Sequence, residues 1–158
     1  MIFETREEVD IPRDFAFSRF ADFTRYEKTA RHYGADIRRV NGFTEISEGC
    51  AWRGSAVVRG TTRGVEAKIT RLNPPEHAQM STVVGGMAIT VDMFFEELGP
   101  GKTLLRVTSQ LKATTLAARL ILQSVKLTRR KIQRKIDTRI VALANEFEDE
   151  YRRHQGRV

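Results

Sequence analysis

Val65-Glu66-Ala67-Lys68-Ile69-Thr70, running on into Arg71-Leu72-Asn73-Pro74-Pro75-Glu76, decides the architecture. Val65, Ala67 and Ile69 alternate with Glu66, Lys68 and Thr70, the period of a strand with one dry and one wet face. The two prolines end it, because neither can donate to a ladder. Upstream, Cys50, Trp52, Gly54, Ala56 and Val58 alternate with Arg53, Ser55 and Arg59, and Gly60-Thr61-Thr62-Arg63-Gly64 reads as the turn between these two strands. Downstream come Ala78, Met80, Thr82 and Val84, closed by Gly85-Gly86, and then Ile89, Val91, Met93 and Phe95, closed by Gly99-Pro100-Gly101. Leu105, Val107, Ser109 and Leu111 give a last strand. Successive strands joined by short Gly/Pro turns read as an antiparallel meander.

Before the meander, Ile2 to Val9 and Ile11 read as a first strand, and Ile37 to Val40 as a second that ends at the turn signal Asn41-Gly42. Between them, Phe15, Ala16, Phe20 and Phe23 recur at helical spacing, so a short helix is expected from 12 to about 22, with Pro12 at its first position. Thr24-Arg25-Tyr26-Glu27 has the spacing of a capping box, which predicts a second short helix from about 25 to 32, stopped at Gly34.

After Leu111 the period changes again. Leu116, Leu120, Val125, Ile132, Ile136, Ile140, Leu143, Phe147 and Tyr151 follow one helical stripe. A continuous helix from Thr115 to Arg153 would be about 58 Å long. A compact domain of this size is about 40 Å across. The helix therefore either overhangs or breaks, with a weak point expected near Thr114 or a frayed C-terminal end. The charge divides at the same boundary. Residues 1–111 hold 15 Lys/Arg and 15 Asp/Glu, whereas residues 112–158 hold 12 and 5, so the whole formal +7 lies on the final segment.

A chain of 158 residues with 41% hydrophobic and 30% charged residues describes one globular domain, 1–158, and not a disordered one. No apolar run approaches the roughly 20 residues that span a bilayer. No signal peptide is read at Met1–Glu8, and the lone Cys50 rules out an internal disulfide, so a cytoplasmic location is expected.

The order strand, two short helices, six-stranded meander and long helix resembles the helix-grip fold of the START-like, polyketide-cyclase-like (SRPBCC) superfamily, over essentially the whole chain. Ile69 to Glu76 looks like its strand, Asn and Pro-Pro corner. Val9-Asp10-Ile11-Pro12-Arg13-Asp14-Phe15-Ala16-Phe17 looks like its first strand leading into its first helix. Ala21-Asp22-Phe23-Thr24-Arg25-Tyr26-Glu27 looks like the junction of its two short helices, although the tryptophan often found near there is absent and the only tryptophan is Trp52. The resemblance implies an α+β fold in which a curved antiparallel sheet of about seven strands wraps the C-terminal helix. It further implies a cavity between sheet and helix that holds a lipid, quinone or polyketide-like molecule. It transfers no catalytic residue and no cofactor.

The dry face supplies the candidate ligand-binding residues Trp52, Ala56, Val65, Ala67, Met80, Thr82, Val91, Met93, Val107 and Ser109, read against the plainer alternative of ordinary core. Tyr26, His32 and Tyr33 fall where such cavities open; the plainer reading is aromatics covering a sheet edge. The reading leans toward a binding protein. A cyclase/dehydratase-like enzyme is the alternative and would draw on Asp92, Ser109 or Tyr26. Lys126, Arg129, Arg130, Lys131, Arg134, Lys135 and Arg139 form a basic helical face, either simply solvated or, as a further alternative, the surface of an adaptor that meets an anionic membrane or a nucleic-acid backbone. No aromatic interleaves that run, which disfavours nucleic acid. Gly99-Pro100-Gly101-Lys102-Thr103 only imitates a phosphate loop, since it joins two strands. His32, His77 and His154 are scattered, and no metal site is read.

Overall fold

The computed structural model describes residues 1–156. Among these, seven strands form one sheet: β1 (Ile2–Val9), β2 (Asp36–Val40), β3 (Ala51–Val58), β4 (Thr61–Asn73), β5 (His77–Val84), β6 (Met87–Gly99) and β7 (Lys102–Ala113). Four helices accompany them: α1 (Arg13–Phe20), α2 (Phe23–His32), α3 (Leu116–Leu127) and α4 (Arg129–Gln155). The sheet order is β1-β7-β6-β5-β4-β3-β2, with every neighbouring pair antiparallel. The meander accounts for β2 to β7, and β1 closes against β7. The curved sheet, the two short helices after the first strand and the long C-terminal helical segment are those expected from the sequence.

Local chemistry explains most boundaries. The β3–β4 turn is tighter than the glycine spacing suggested. Arg59 and Gly60 take φ values of 51° and 75°, and Thr61 already pairs with Val58. Two consecutive left-handed residues make the hairpin turn whose twist matches the strands. Pro12 stands just outside α1, as its cap, and not at the first helical position. The capping box at Thr24 and Glu27 does not form. Asp22 caps α2 instead, its carboxylate accepting from Arg25 N at 3.1 Å. Glu27 then falls inside the helix, on its inward face, and is buried.

Among the described residues the C-terminal helix breaks at Thr128 and not near Thr114, and α4 then continues to Gln155. Thr128 has φ −110° and ψ 20°, outside the helical region. Its hydroxyl donates back to Ser124 O at 3.2 Å, and its N–H goes to Val125 O at 3.1 Å. Such back-bonding by a β-branched hydroxyl bends helices. Beyond the break α4 runs along β1. The Thr5 hydroxyl donates to Asp137 at 2.7 Å, Gln133 Nε2 donates to Glu4 O at 3.0 Å, and Arg129 Nη2 donates to Ile2 O at 2.6 Å. Farther along, Leu143, Ala144 and Phe147 enter the core, where Phe147 meets Phe20 edge-on with centroids 4.9 Å apart. Among the described residues, no helix is long and apolar enough to cross a membrane.

Candidate functional site

One half of the concave face is filled and the other half is not. On the β6–β7–β1 side, Phe95, Leu105 and Val107 pack with α1 and α4 into a single apolar cluster. On the β2–β5 side a cavity of about 330 Å³ remains. Its roof is α2, which presents Phe23, Tyr26, Glu27 and Ala30 at spacings of three, four and seven, one face of a helix. Its floor is Ile37 of β2, Trp52, Ala56 and Val58 of β3, Val65 and Ala67 of β4, and Met80, Thr82 and Val84 of β5. Small side chains at Ala30, Ala35, Ala56 and Ala67 leave the space open.

Seven of the eleven residues singled out from sequence line this cavity: Tyr26, Trp52, Ala56, Val65, Ala67, Met80 and Thr82. Val91, Met93, Val107 and Ser109 share the concave face but lie outside this lining. Val91 pairs with Ser109, and Met93 with Val107, in rows that continue to Phe3 and Thr5 of β1. Val107 is core, and Val91 and Met93 pack against it. No residue of α3 or α4 is among the lining, so the cavity lies beneath α2 and not beneath the C-terminal helix. His32 is exposed and Tyr33 is 82% exposed, which removes both from the site.

Three polar groups of the wall, on Tyr26, Glu27 and Trp52, are already bonded. The Tyr26 hydroxyl donates to Phe20 O at 2.6 Å, and burial pushes its pKa up to about 12. Glu27 accepts from Arg39 Nε at 2.8 Å, from the Trp52 indole N–H and from Arg31 Nη1 at 3.2 Å. Burial alone would raise the Glu27 carboxyl, but the hydrogen bonds from Arg39 and Trp52 and the charges of Arg39 and Arg31 outweigh it and hold it below the usual carboxylate range. Arg39 also donates to Thr44 O at 2.9 Å. Cys50 is fully buried, and that burial raises its thiol pKa.

Asp92, a catalytic candidate from the sequence, is on the opposite face. It accepts from Gln79 Nε2 at 2.9 Å and lies 2.6 Å from His77 Nε2, whose ring stacks on Phe94. Strand alternation demands this, since Val91 and Met93 flank Asp92 and point the other way. Glu27 is the site residue that sequence reading missed. The signal was its spacing of four from Phe23 and three to Ala30, which puts it on the buried face of α2. Among the described residues, no three His, Cys, Asp or Glu side chains gather to hold a metal.

No family model matches the chain, and no curated protein does. Solved structures do. The ZhuI aromatase/cyclase from Streptomyces sp. R1128 superposes with a TM-score of 0.62 at 16% identity, over 94% of this chain and 93% of that one. Norcoclaurine synthase of Thalictrum flavum superposes with a TM-score of 0.62 at 9% identity, over 96% of both chains. Ara h 8.0201 gives 0.52 at 19% identity, over 90% of this chain and 98% of that one. The chain has the helix-grip fold. In this helix-grip protein α4 packs along β1, and the space beneath α2 stays open.

Proposed function

We propose that this helix-grip protein is a single domain that binds one compact, uncharged hydrophobic molecule beneath α2, to carry, sequester or present it. The observation that supports this reading is the composition of the cavity wall. Its exposed surface is almost wholly apolar, and the polar heads of Glu27 and Tyr26 are spent on protein partners. A volume of about 330 Å³ lies within the range of small-molecule pockets. Burial of ligand surface, at about 25 cal/mol per Å², supplies the drive. A lipid fragment, a quinone or a polyketide-like ring system has the required chemistry. A charged ligand does not, because no unpaired countercharge faces it.

The test is the native mass of freshly purified protein, followed by organic extraction and mass analysis of what is released. A stoichiometric apolar adduct, absent from an Ala67→Phe variant that fills the cavity, is the expected result. A clean apo mass, together with no quenching of Trp52 fluorescence by added fatty acids or quinones, would sink the reading.

A second reading is an enzyme of the cyclase/dehydratase kind. Its support is the fold shared with an aromatase/cyclase and the placement of a carboxylate, Glu27, in an otherwise dry wall. Glu27 would then exchange Arg39 or Trp52 for substrate during turnover. Conversion of a polyketide-like substrate, abolished in a folded Glu27→Gln variant, would favour it. No conversion of any such substrate would remove it.

A further inference from the structure

The cavity makes no use of the C-terminal helices, yet α3 carries the most conspicuous apolar side chains on the surface. Leu116, Leu120 and Leu127 are 74%, 67% and 89% exposed. Spacings of four and seven put them on one stripe. What α3 buries is a different face, at Ala118 and Val125. A row of leucines held in water by a helix that already has a buried side marks a contact surface.

Cations surround this stripe. Arg119 and Lys126 each precede a stripe leucine by one position, and the break at Thr128 leads at once into Arg129, Arg130, Lys131 and Arg134. All six are exposed, and none of them forms an ion pair among the described residues. The nearby acid, Asp137, is occupied by Thr5 and Gln133 and turned toward β1. Leucines and unpaired cations thus share one continuous piece of chain.

We infer that α3 and the first turns of α4 dock on an anionic lipid bilayer. The leucines enter the boundary of the acyl chains and the Arg and Lys side chains meet the headgroup phosphates. A helix with an apolar stripe and a basic flank lies in the plane of such an interface, and each cation near an anionic leaflet adds to the attraction. A nucleic acid would use the cations but has no place for three leucines, and no aromatic side chain in the run offers a base a stacking surface. A second copy of the chain would cover the leucines but bring two cationic faces together, which like charge opposes.

The placement connects this surface to the cavity. The Thr114 N–H and hydroxyl both donate to Gly86 O, at 2.8 and 2.7 Å, immediately before α3 begins. Gly86 lies two residues beyond Val84, which lines the cavity. The docked face therefore adjoins the Val84 end of the cavity. Docking itself stands whether or not that cavity is filled.

Sedimentation with vesicles tests this. The full chain is mixed with vesicles of phosphatidylcholine alone, or of phosphatidylcholine with phosphatidylserine, at low and high salt. Binding is expected to the serine-lipid vesicles only, and to weaken as salt screens the charges. One variant combines Leu116→Ser, Leu120→Ser and Leu127→Ser; another combines Arg130→Glu, Lys131→Glu and Arg134→Glu. Each is expected to lower the vesicle-bound fraction about tenfold or more. Thermal melting monitors folding, and single substitutions at the same positions replace any variant that fails to fold. Absence of binding to the anionic vesicles overturns the proposal. So does retention by the serine variant of full binding, the behaviour of a general polyanion site such as one for RNA. A dimer in solution that the serine variant converts to monomer also overturns it, because the leucines would then belong to a second copy.

Discussion

The Trp52 indole of β3 donates its N–H to the same Glu27 oxygen that accepts from Arg39 Nε of β2, so one buried carboxylate joins α2 to two strands. The Glu27 side chain is 8% exposed. Glu27→Ala leaves Arg39 without its carboxylate partner in a largely buried position and is expected to cost about 3–5 kcal/mol in urea unfolding. Glu27→Gln, which keeps the shape and one acceptor, should cost less. A loss under about 1 kcal/mol for the alanine variant would show that the cluster does not hold α2 in place. The pH dependence has a definite sign. The folded carboxyl has a lower pKa than the unfolded one, so the unfolded chain binds more protons in that window. The contribution is complete above the unfolded value and is lost as pH falls through the folded one.

Tyr26 gives the opposite limb. Its pKa rises from 10.0 to about 12 on folding, because burial disfavours the phenolate. The folded chain therefore holds this proton where the unfolded chain releases it. Stability from Tyr26 is complete below pH 10 and declines as pH rises toward 12, by about 2–3 kcal/mol in all. Tyr26→Phe loses the hydrogen bond to Phe20 O and should be the less stable protein at neutral pH. It lacks the alkaline loss, so the gap between the two should narrow as pH rises from 10 toward 12 in denaturant titrations. A constant gap across that range would contradict the shift.

Gly54 fixes the edge of the cavity. A Cβ at this position would stand 1.8 Å from Asp36 O, a backbone atom that cannot swing aside. Gly54 pairs with Ile37, a lining residue, on the edge strand β2. Gly54→Ala is expected to push β2 off β3 and to cost about 2–3 kcal/mol or more. Amide exchange should show early loss of protection at residues 36–40 and 51–55 while β6 and β7 stay protected. Equal protection in variant and parent would mean that β2 accommodates the methyl group.

The strands were legible because their environment is two-sided. A half-buried strand writes its facing into alternate residues, and Gly or Pro punctuates each end, so Val65–Asn73 and its neighbours could be placed from sequence. The same alternation, applied to Asp92, assigns it to the outer face beside Gln79. Glu27 was harder, because a Thr-x-x-Glu spacing describes a cap and a buried ion cluster equally well. The choice was made by Asp22, whose side chain took the cap first. The break at Thr128 left no mark in the period, since Val125 and Ile132 keep a spacing of seven and only the backbone turns; Leu116 and Leu120, read into the same stripe, lie on the opposite, exposed face of α3. The half-filled sheet was illegible for a related reason. Val91 and Ala67 obey one pattern, and alternation along a strand does not say how closely a helix packs over each residue.

Phe147 and Leu127 separate the two roles of the C-terminal segment. Phe147 is fully buried and set edge-on to Phe20, with interplanar angle 87°. Phe147→Ala removes the anchor that fastens α4 to α1 and should cost about 3–5 kcal/mol, the range for a large aromatic lost from a packed core. Leu127 is 89% exposed, and Leu127→Ala should change stability by no more than about 0.5 kcal/mol. The same leucine change is expected to weaken sedimentation with anionic vesicles, where its side chain has somewhere to go. Chemical unfolding of both variants, paired with vesicle binding of the second, distinguishes a residue kept for the fold from one kept for a surface. A large stability loss at Leu127 would place that leucine in the core's service and take it out of the docking face.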